Sequence, residues 1–259
     1  MSKPFTIEKK SGVSMKFLSL VIIVFLLSGC GVTGTASQPT FAPLTNAPQF
    51  RSGLAAVQVE AAANAADNAA YGAFNWGKFD QHDQKVIKQA IYSAVNANAK
   101  SATNTAKVHV NIHRYSQVIT NASYASFVIV DWCLEQDGKI LVDEVFYAGH
   151  ADELNLFTGK SLGWAKGETH KAISGRIINQ VIANLSEPSR QNAYAEPHVF
   201  LDAAAAVKAL PAELTSVGSG GTAGGTYFYI EAQSGETDFA KKALYQKVDW
   251  AARLKAQPR

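Results

Sequence analysis

Residues 124–149 read YASFVIVDWCLEQDGKILVDEVFYAG, and this stretch decides the fold. Its first half, Tyr124–Glu135, is almost continuously apolar, as a strand covered on both faces is. Gln136-Asp137-Gly138-Lys139 then carries the Asp-Gly signal of a two-residue hairpin loop, whose central residues need positive φ. Ile140–Gly149 is the returning strand. One residue is out of character: Asp131, a carboxylate inside the apolar run. It needs a partner or a raised pKa, and Arg114 or Lys139 across the sheet are the expected partners.

Upstream, Lys107–Val118 alternates Val108, Val110 and Ile112 with Lys107, His109, Asn111 and His113, a third strand with one polar face. His109 and His113 share that face. Their Cα atoms lie about 13 Å apart at ~3.3 Å per residue, too far to hold one metal ion together. Before this strand, Asp80 can cap a helix in which Val86, Ile87, Ala90, Ile91, Ala94 and Val95 share a face, ending near Asn98. Leu54–Ala61 reads as a strand from the alternation of Val57 and Val59, although the flanking alanines favour helix. Downstream of a Gly-rich loop, Ala172, Ile173, Ile177, Val181 and Leu185 mark a second helix that stops before Pro188. The order is β-α-β-β-β-α over residues 54–187: an α+β fold, an antiparallel sheet with helices on one face.

Residues 188–259 form an extension. Ala203–Leu210 suits a short helix, 218–226 is a Gly-rich connector, Thr226–Glu231 suits a strand, and Asp238–Lys255 suits a terminal helix. In that helix Ala240, Leu244, Val248 and Ala251 share one side.

The chain has 259 residues, 47% of them hydrophobic and 17% charged, enough to bury a core and too apolar for general disorder. Its net charge of +3 comes from the first 29 residues, with Lys3, Lys9, Lys10 and Lys16 against Glu8. The rest is balanced, which argues against a nucleic-acid partner. Only one long apolar run exists, near the start, so a polytopic membrane protein is excluded.

That run lies in residues 9–30, KKSGVSMKFLSLVIIVFLLSGC. Lys9, Lys10 and Lys16 precede the apolar segment Phe17–Leu27, which is too short to span about 30 Å of hydrocarbon and fits a secretory signal. It ends in Leu27-Ser28-Gly29-Cys30, which resembles the lipobox of bacterial lipoproteins. The resemblance implies cleavage after residue 29, a diacylglycerol thioether on Cys30, acylation of the new amino terminus, and membrane attachment through those chains. Gly31, in place of aspartate, implies by the same resemblance the outer membrane, facing the periplasm. Met15-Lys16 also resembles a lipoprotein start. Residues 31–53, rich in Gly, Ser, Thr, Ala and Pro, read as a tether. The β-α-β-β-β-α pattern is similar to the small α/β domains of envelope lipoproteins of assembly or accessory type. An envelope protein partner and a non-catalytic binding role are what it implies.

With Cys30 acylated, Cys133 is the one thiol left and reads as a small buried hydrophobe. The alternative function is hydrolytic. Gly159-Lys160-Ser161-Leu162-Gly163 matches the nucleophile-elbow pattern, with Ser161 as nucleophile and His198 as the base candidate, but an antiparallel meander precedes it. Gly159-Lys160-Ser161 also ends like a phosphate-binding loop, yet Leu154 stands where its first glycine belongs, so no nucleotide is expected. His150, Asp152 and Glu153 form a polar group read as a solvated loop; Asp143 and Glu144 must point to opposite faces. Tyr71, Phe74, Trp76 and Phe79 read as a plug at the end of the sheet. No cofactor or metal is expected.

Overall fold

The computed structural model describes residues 39–41, 49–50, 53–61, 79–97, 105–119, 123–153, 162–187, 193–209 and 247–256. The elements are β1 (Gln49–Phe50), β2 (Leu54–Ala61), α1 (Gln81–Asn96), β3 (Ala106–Ile119), β4 (Ser123–Gln136) and β5 (Lys139–Glu153). They continue with α2 (Leu162–Leu185), β6 (Ser186–Glu187), β7 (Val199–Phe200), α3 (Ala203–Ala209) and α4 (Trp250–Lys255).

The fold is α+β, built on a five-stranded sheet of order β2-β3-β4-β5-β7. The β4–β5 hairpin turns on Asp137 and Gly138, both at positive φ (52° and 78°), as the Asp-Gly signal requires. The sheet is mixed, where the sequence suggested a wholly antiparallel one. β2 runs parallel to β3, because α1 carries the chain back between them, and the other three pairings are antiparallel.

α1 starts where the capping signal places it. Asp80 Oδ1 accepts from the Asp83 N–H at 3.0 Å, and Asp83 Oδ2 accepts from the Asp80 N–H at 2.8 Å, a reciprocal capping box. Its apolar stripe, Val86, Ile87, Ala90, Ile91 and Val95, is buried. Near its end, the Asn96 side chain bonds both Leu54 N and Leu54 O, tying the first residue of β2 to the helix. α2 begins ten residues before the first apolar position of the expected stripe and runs to the predicted stop. The helices and Val108, Val110, Ile112, Val128, Val130, Trp132 and Leu134 enclose the core.

β3 breaks its alternation between Ile112 and Arg114. That bulge adds one residue, so Tyr115 lands on the helix face beside Phe79, with ring centroids 5.5 Å apart. By strict alternation Tyr115 belongs on the other side. Phe79 is itself buried, as a plug should be; Tyr71, Phe74 and Trp76 lie outside the described residues.

Residues after 188 contribute to the same sheet. β7 pairs with β5 at Tyr147 and Ala148. Gly149 is needed there: a Cβ on it would sit 2.9 Å from the Ser126 carbonyl oxygen and 3.0 Å from the Phe127 ring. α3 matches the short helix expected from Ala203. The expected terminal helix does not run unbroken, since residues 247–249 are not helical and α4 starts at Trp250 with Asp249 as its N-cap; 238–246, the connector and Thr226–Glu231 lie outside the described residues. α4 also corrects the one-sided arrangement, because Trp250 lies against the sheet face turned away from α1 and α2.

Two described parts of the stretch read as a tether are engaged with the body. Phe41 packs against the core and stacks edge-on with Tyr194, centroids 5.1 Å apart, while β1 pairs with β6.

Candidate functional site

On the face away from the helices, β3 and β4 present His109, Asn111, His113, Asp131 and Cys133, all buried. The alternation correctly put the histidines on one face, but that face is not open to water. Asp131 is the node. Its Oδ1 accepts from the Trp250 indole N–H at 2.8 Å. Its Oδ2 accepts from the Val248 N–H at 2.7 Å and pairs with His113 Nε2 at 3.1 Å. These partners come from a segment more than a hundred residues away and from the bulge residue; Lys139 is exposed, and the Arg114 side chain lies outside what the structure describes. A carboxylate with no exposure needs such donors to remain buried.

Around this node the C-terminal segment is fastened further. Lys247 pairs with Asp143 at 3.0 Å, Arg253 pairs with Glu60, and the Arg253 guanidinium lies 5.3 Å from the centre of the Trp250 ring. His109 bonds Gln58 Oε1 at 2.9 Å and Glu135 at 3.3 Å, and burial holds its pKa below the ordinary histidine value. Burial pushes the Cys133 thiol up to about 12, so it is an unreactive small hydrophobe, as expected.

The helix face holds a second buried polar group. Lys166 Nζ lies 2.7 Å from Asp83 Oδ1, His170 Nε2 3.5 Å from the same oxygen, and the Lys166 ammonium 5.8 Å from the Tyr115 ring centre. Burial raises the Asp83 carboxyl above its usual range against the pull of Lys166, and lowers His170 to about 3. The sequence pattern did not single out Lys166, and His170 drew notice only as a histidine following Ser161, because α2 starts earlier than its apolar stripe announces.

A third network pins the return of the chain to α2. Arg176 Nε donates to Glu144 at 3.1 Å and Nη1 to Glu196 at 3.2 Å, while the Trp132 indole also donates to Glu144 at 3.1 Å. Asp143 and Glu144 do face opposite sides. His150 and Asp152 belong to β5, not to a loop, and the His150 ring sits 4.4 Å from that of His198. His198 in turn lies 3.5 Å from Glu168. Among the described residues no cluster of three or more His, Cys, Asp or Glu could hold a metal ion. Cys30 and Ser161 lie outside the described residues; β5, the strand before Ser161, is antiparallel to both neighbours.

Open surface depressions among the described residues include two. One, of about 310 Å³, is lined by Phe41, Glu168, Lys171, Tyr194 and His198 among others. The other, about 680 Å³, runs between the edge strand β2 and α1. Its helix wall is Gln81, Gln84, Lys85, Lys88, Gln89 and Tyr92, spaced as one helical face. Its strand wall is Gln58, Val59 and Glu60.

No family model matches the sequence, and no curated protein matches it either. Several solved structures align with parts of it, two of which follow. A Xanthomonas campestris protein of the DUF330 family covers 56% of this chain and 91% of its own length, at 8% identity and a TM-score of 0.41. A candidate lipoprotein from Caulobacter crescentus CB15 covers 48% of this chain and 86% of its own, at 10% identity and a TM-score of 0.29.

The groove beside β2 escaped sequence reading because its wall is the polar side of α1, which any amphipathic helix has. The Asp131 node carried a usable signal. A buried carboxylate asks for N–H donors, and an isolated tryptophan near the end of the chain supplies one.

Proposed function

We propose that this chain is a bacterial envelope lipoprotein, acylated on Cys30, whose α+β body is a non-catalytic binding or assembly subunit at the periplasmic face of the outer membrane. The observation that carries the anchoring is Leu27-Ser28-Gly29-Cys30 directly after the 11-residue apolar segment Phe17–Leu27. Two or three acyl chains, at about 0.8 kcal/mol per buried methylene, make a durable anchor. The binding role rests on how the polar groups are used. Asp131, Asp83 and Glu144 are committed to internal partners, whereas the larger depression, beside β2, is lined mainly by glutamines, two lysines and a tyrosine, groups suited to recognition.

Metabolic labelling with palmitate and cell fractionation test the anchor. Wild-type protein takes up label and sediments with membranes; Cys30→Ala takes up none and accumulates as uncleaved precursor. Label retained by Cys30→Ala, or unlabelled wild-type protein, overturns the anchor. A fluorophosphonate probe tests the non-catalytic role. Labelling that disappears in Ser161→Ala would make the protein a serine hydrolase.

A further inference from the structure

We propose that the groove between β2 and α1 captures an extended, acidic segment of a partner protein, which adds as a strand to the free edge of β2. This deepens the binding role above and is separable from the anchoring.

β2 has a sheet neighbour on one side only among the described residues, β3, so its other edge presents backbone groups able to continue a ladder. The strand is not isolated on that side. α1 rises beside it, and together they form the 680 Å³ groove. Gln81 to Tyr92 spans about 16 Å of helix at 1.5 Å per residue, the length of about five extended residues. A five-residue strand laid there has β2 on one flank and the α1 wall on the other.

The chemistry of the wall selects the occupant. Lys85 and Lys88 are exposed and have no ion-pair partner among the described residues. Glu60, the one acid lining the groove, is held by Arg253. Glutamines along the wall can both donate to and accept from a main chain, and Tyr92, 41% exposed, offers a ring to a side chain. Side chains of an added strand alternate, so every second one faces the lysines. Acids at those positions complete the charge. Two lysines are too few for a nucleic-acid track in an otherwise balanced body.

The test uses the full mature chain in dodecyl maltoside with fluorescein-labelled (Thr-Glu)₄ and (Thr-Lys)₄ peptides, read by anisotropy, and hydrogen exchange of the complex. (Thr-Glu)₄ is expected to bind at least about tenfold more tightly than (Thr-Lys)₄, to weaken about tenfold with Lys85→Glu/Lys88→Glu, and to release as salt rises. Amides of Leu54–Ala61 should exchange several-fold more slowly in the complex. Both lysines are exposed, so circular dichroism of the variant should match wild type. Equal binding of the two peptides, binding unchanged in the variant, or unchanged exchange over 54–61 overturns the proposal. So does displacement of the peptide by phosphatidylglycerol added to the micelles, which assigns the lysines to lipid, or a dimer that the variant dissociates, which assigns the groove to a second copy. Failure here leaves palmitate labelling of Cys30 intact, and loss of labelling leaves peptide capture intact.

Discussion

If Asp131 fastens the C-terminal segment to the sheet, Trp250→Phe should release that segment while leaving the rest of the fold in place. The substitution keeps a large ring on the sheet and removes only the indole N–H that reaches Asp131 Oδ1 at 2.8 Å. Hydrogen bonds to a charged group contribute about 1.5–3 kcal/mol net, and a fully buried carboxylate oxygen left without its donor stands at the upper part of that range. The expected cost is therefore about 2–3 kcal/mol, roughly a 30- to 150-fold rise in the open population of residues 247–256. Asp131→Asn should cost about 3–5 kcal/mol. Its amide oxygen can replace one acceptor, but its NH₂ then confronts the Val248 N–H and His113, which Oδ2 now serves. The double variant should cost less than the sum, because the two share one bond. Native-state hydrogen exchange followed by mass spectrometry reads this directly. Exchange over 247–256 should accelerate by the stated factor in Trp250→Phe, while β4 and β5 amides stay within about 0.5 kcal/mol of wild type. Costs that add without coupling, or exchange over 247–256 that is unchanged, would refute the node.

Other expectations follow from the same geometry. His170 is buried and its pKa lies near 3, below the unfolded value, so its contribution to stability is present above about pH 6.5 and is lost as pH falls toward 3. Urea titrations should therefore show wild type losing more stability than His170→Gln between pH 6.5 and 4.5, by about 2 kcal/mol, and parallel pH profiles would sink this assignment. Gly149→Ala should lower stability by about 1–3 kcal/mol, read as a drop in thermal midpoint, because the added methyl meets the fixed Ser126 carbonyl. Arg176→Met leaves Glu144 and Glu196 without their shared cation and should cost about 3 kcal/mol, with faster proteolysis over 193–200 as the local readout.

How far the sequence discloses this molecule depends on the range of each signal. The Asp137-Gly138 loop, the Asp80 cap and the apolar stripe of α1 are local, and each was legible. What escaped depends on distant partners. The direction of β2 is set by a crossover, not by any residue within the strand. The bulge at His113 reverses the alternation for Tyr115, and no glycine or proline marks it. The polar-looking face of β3 is buried because Trp250 crosses it, a contact spanning more than a hundred residues. α2 hides its first ten residues behind Gly163, Gly167 and Lys166, which dilute the apolar period even though Lys166 is engaged with Asp83.

The docking of Phe41 ties the proposed anchor to the proposed groove. From Cys30 to Phe41 the chain can reach at most about 40 Å, whereas a tether free as far as residue 53 could reach about 80 Å. Phe41 sits beside Gly175 and Tyr194, on the flank of the sheet where α2 faces β5 and β7. The groove lies at the opposite edge, along β2, four strand spacings or about 19 Å across the sheet. Phe41 and the groove thus lie at different edges of the sheet. The proposed anchor would hold the body within a short radius and so raise the local concentration of the groove for partners at the same membrane. On the proposed capture, charge on the approaching segment, not apolar burial, guides its arrival at Lys85 and Lys88.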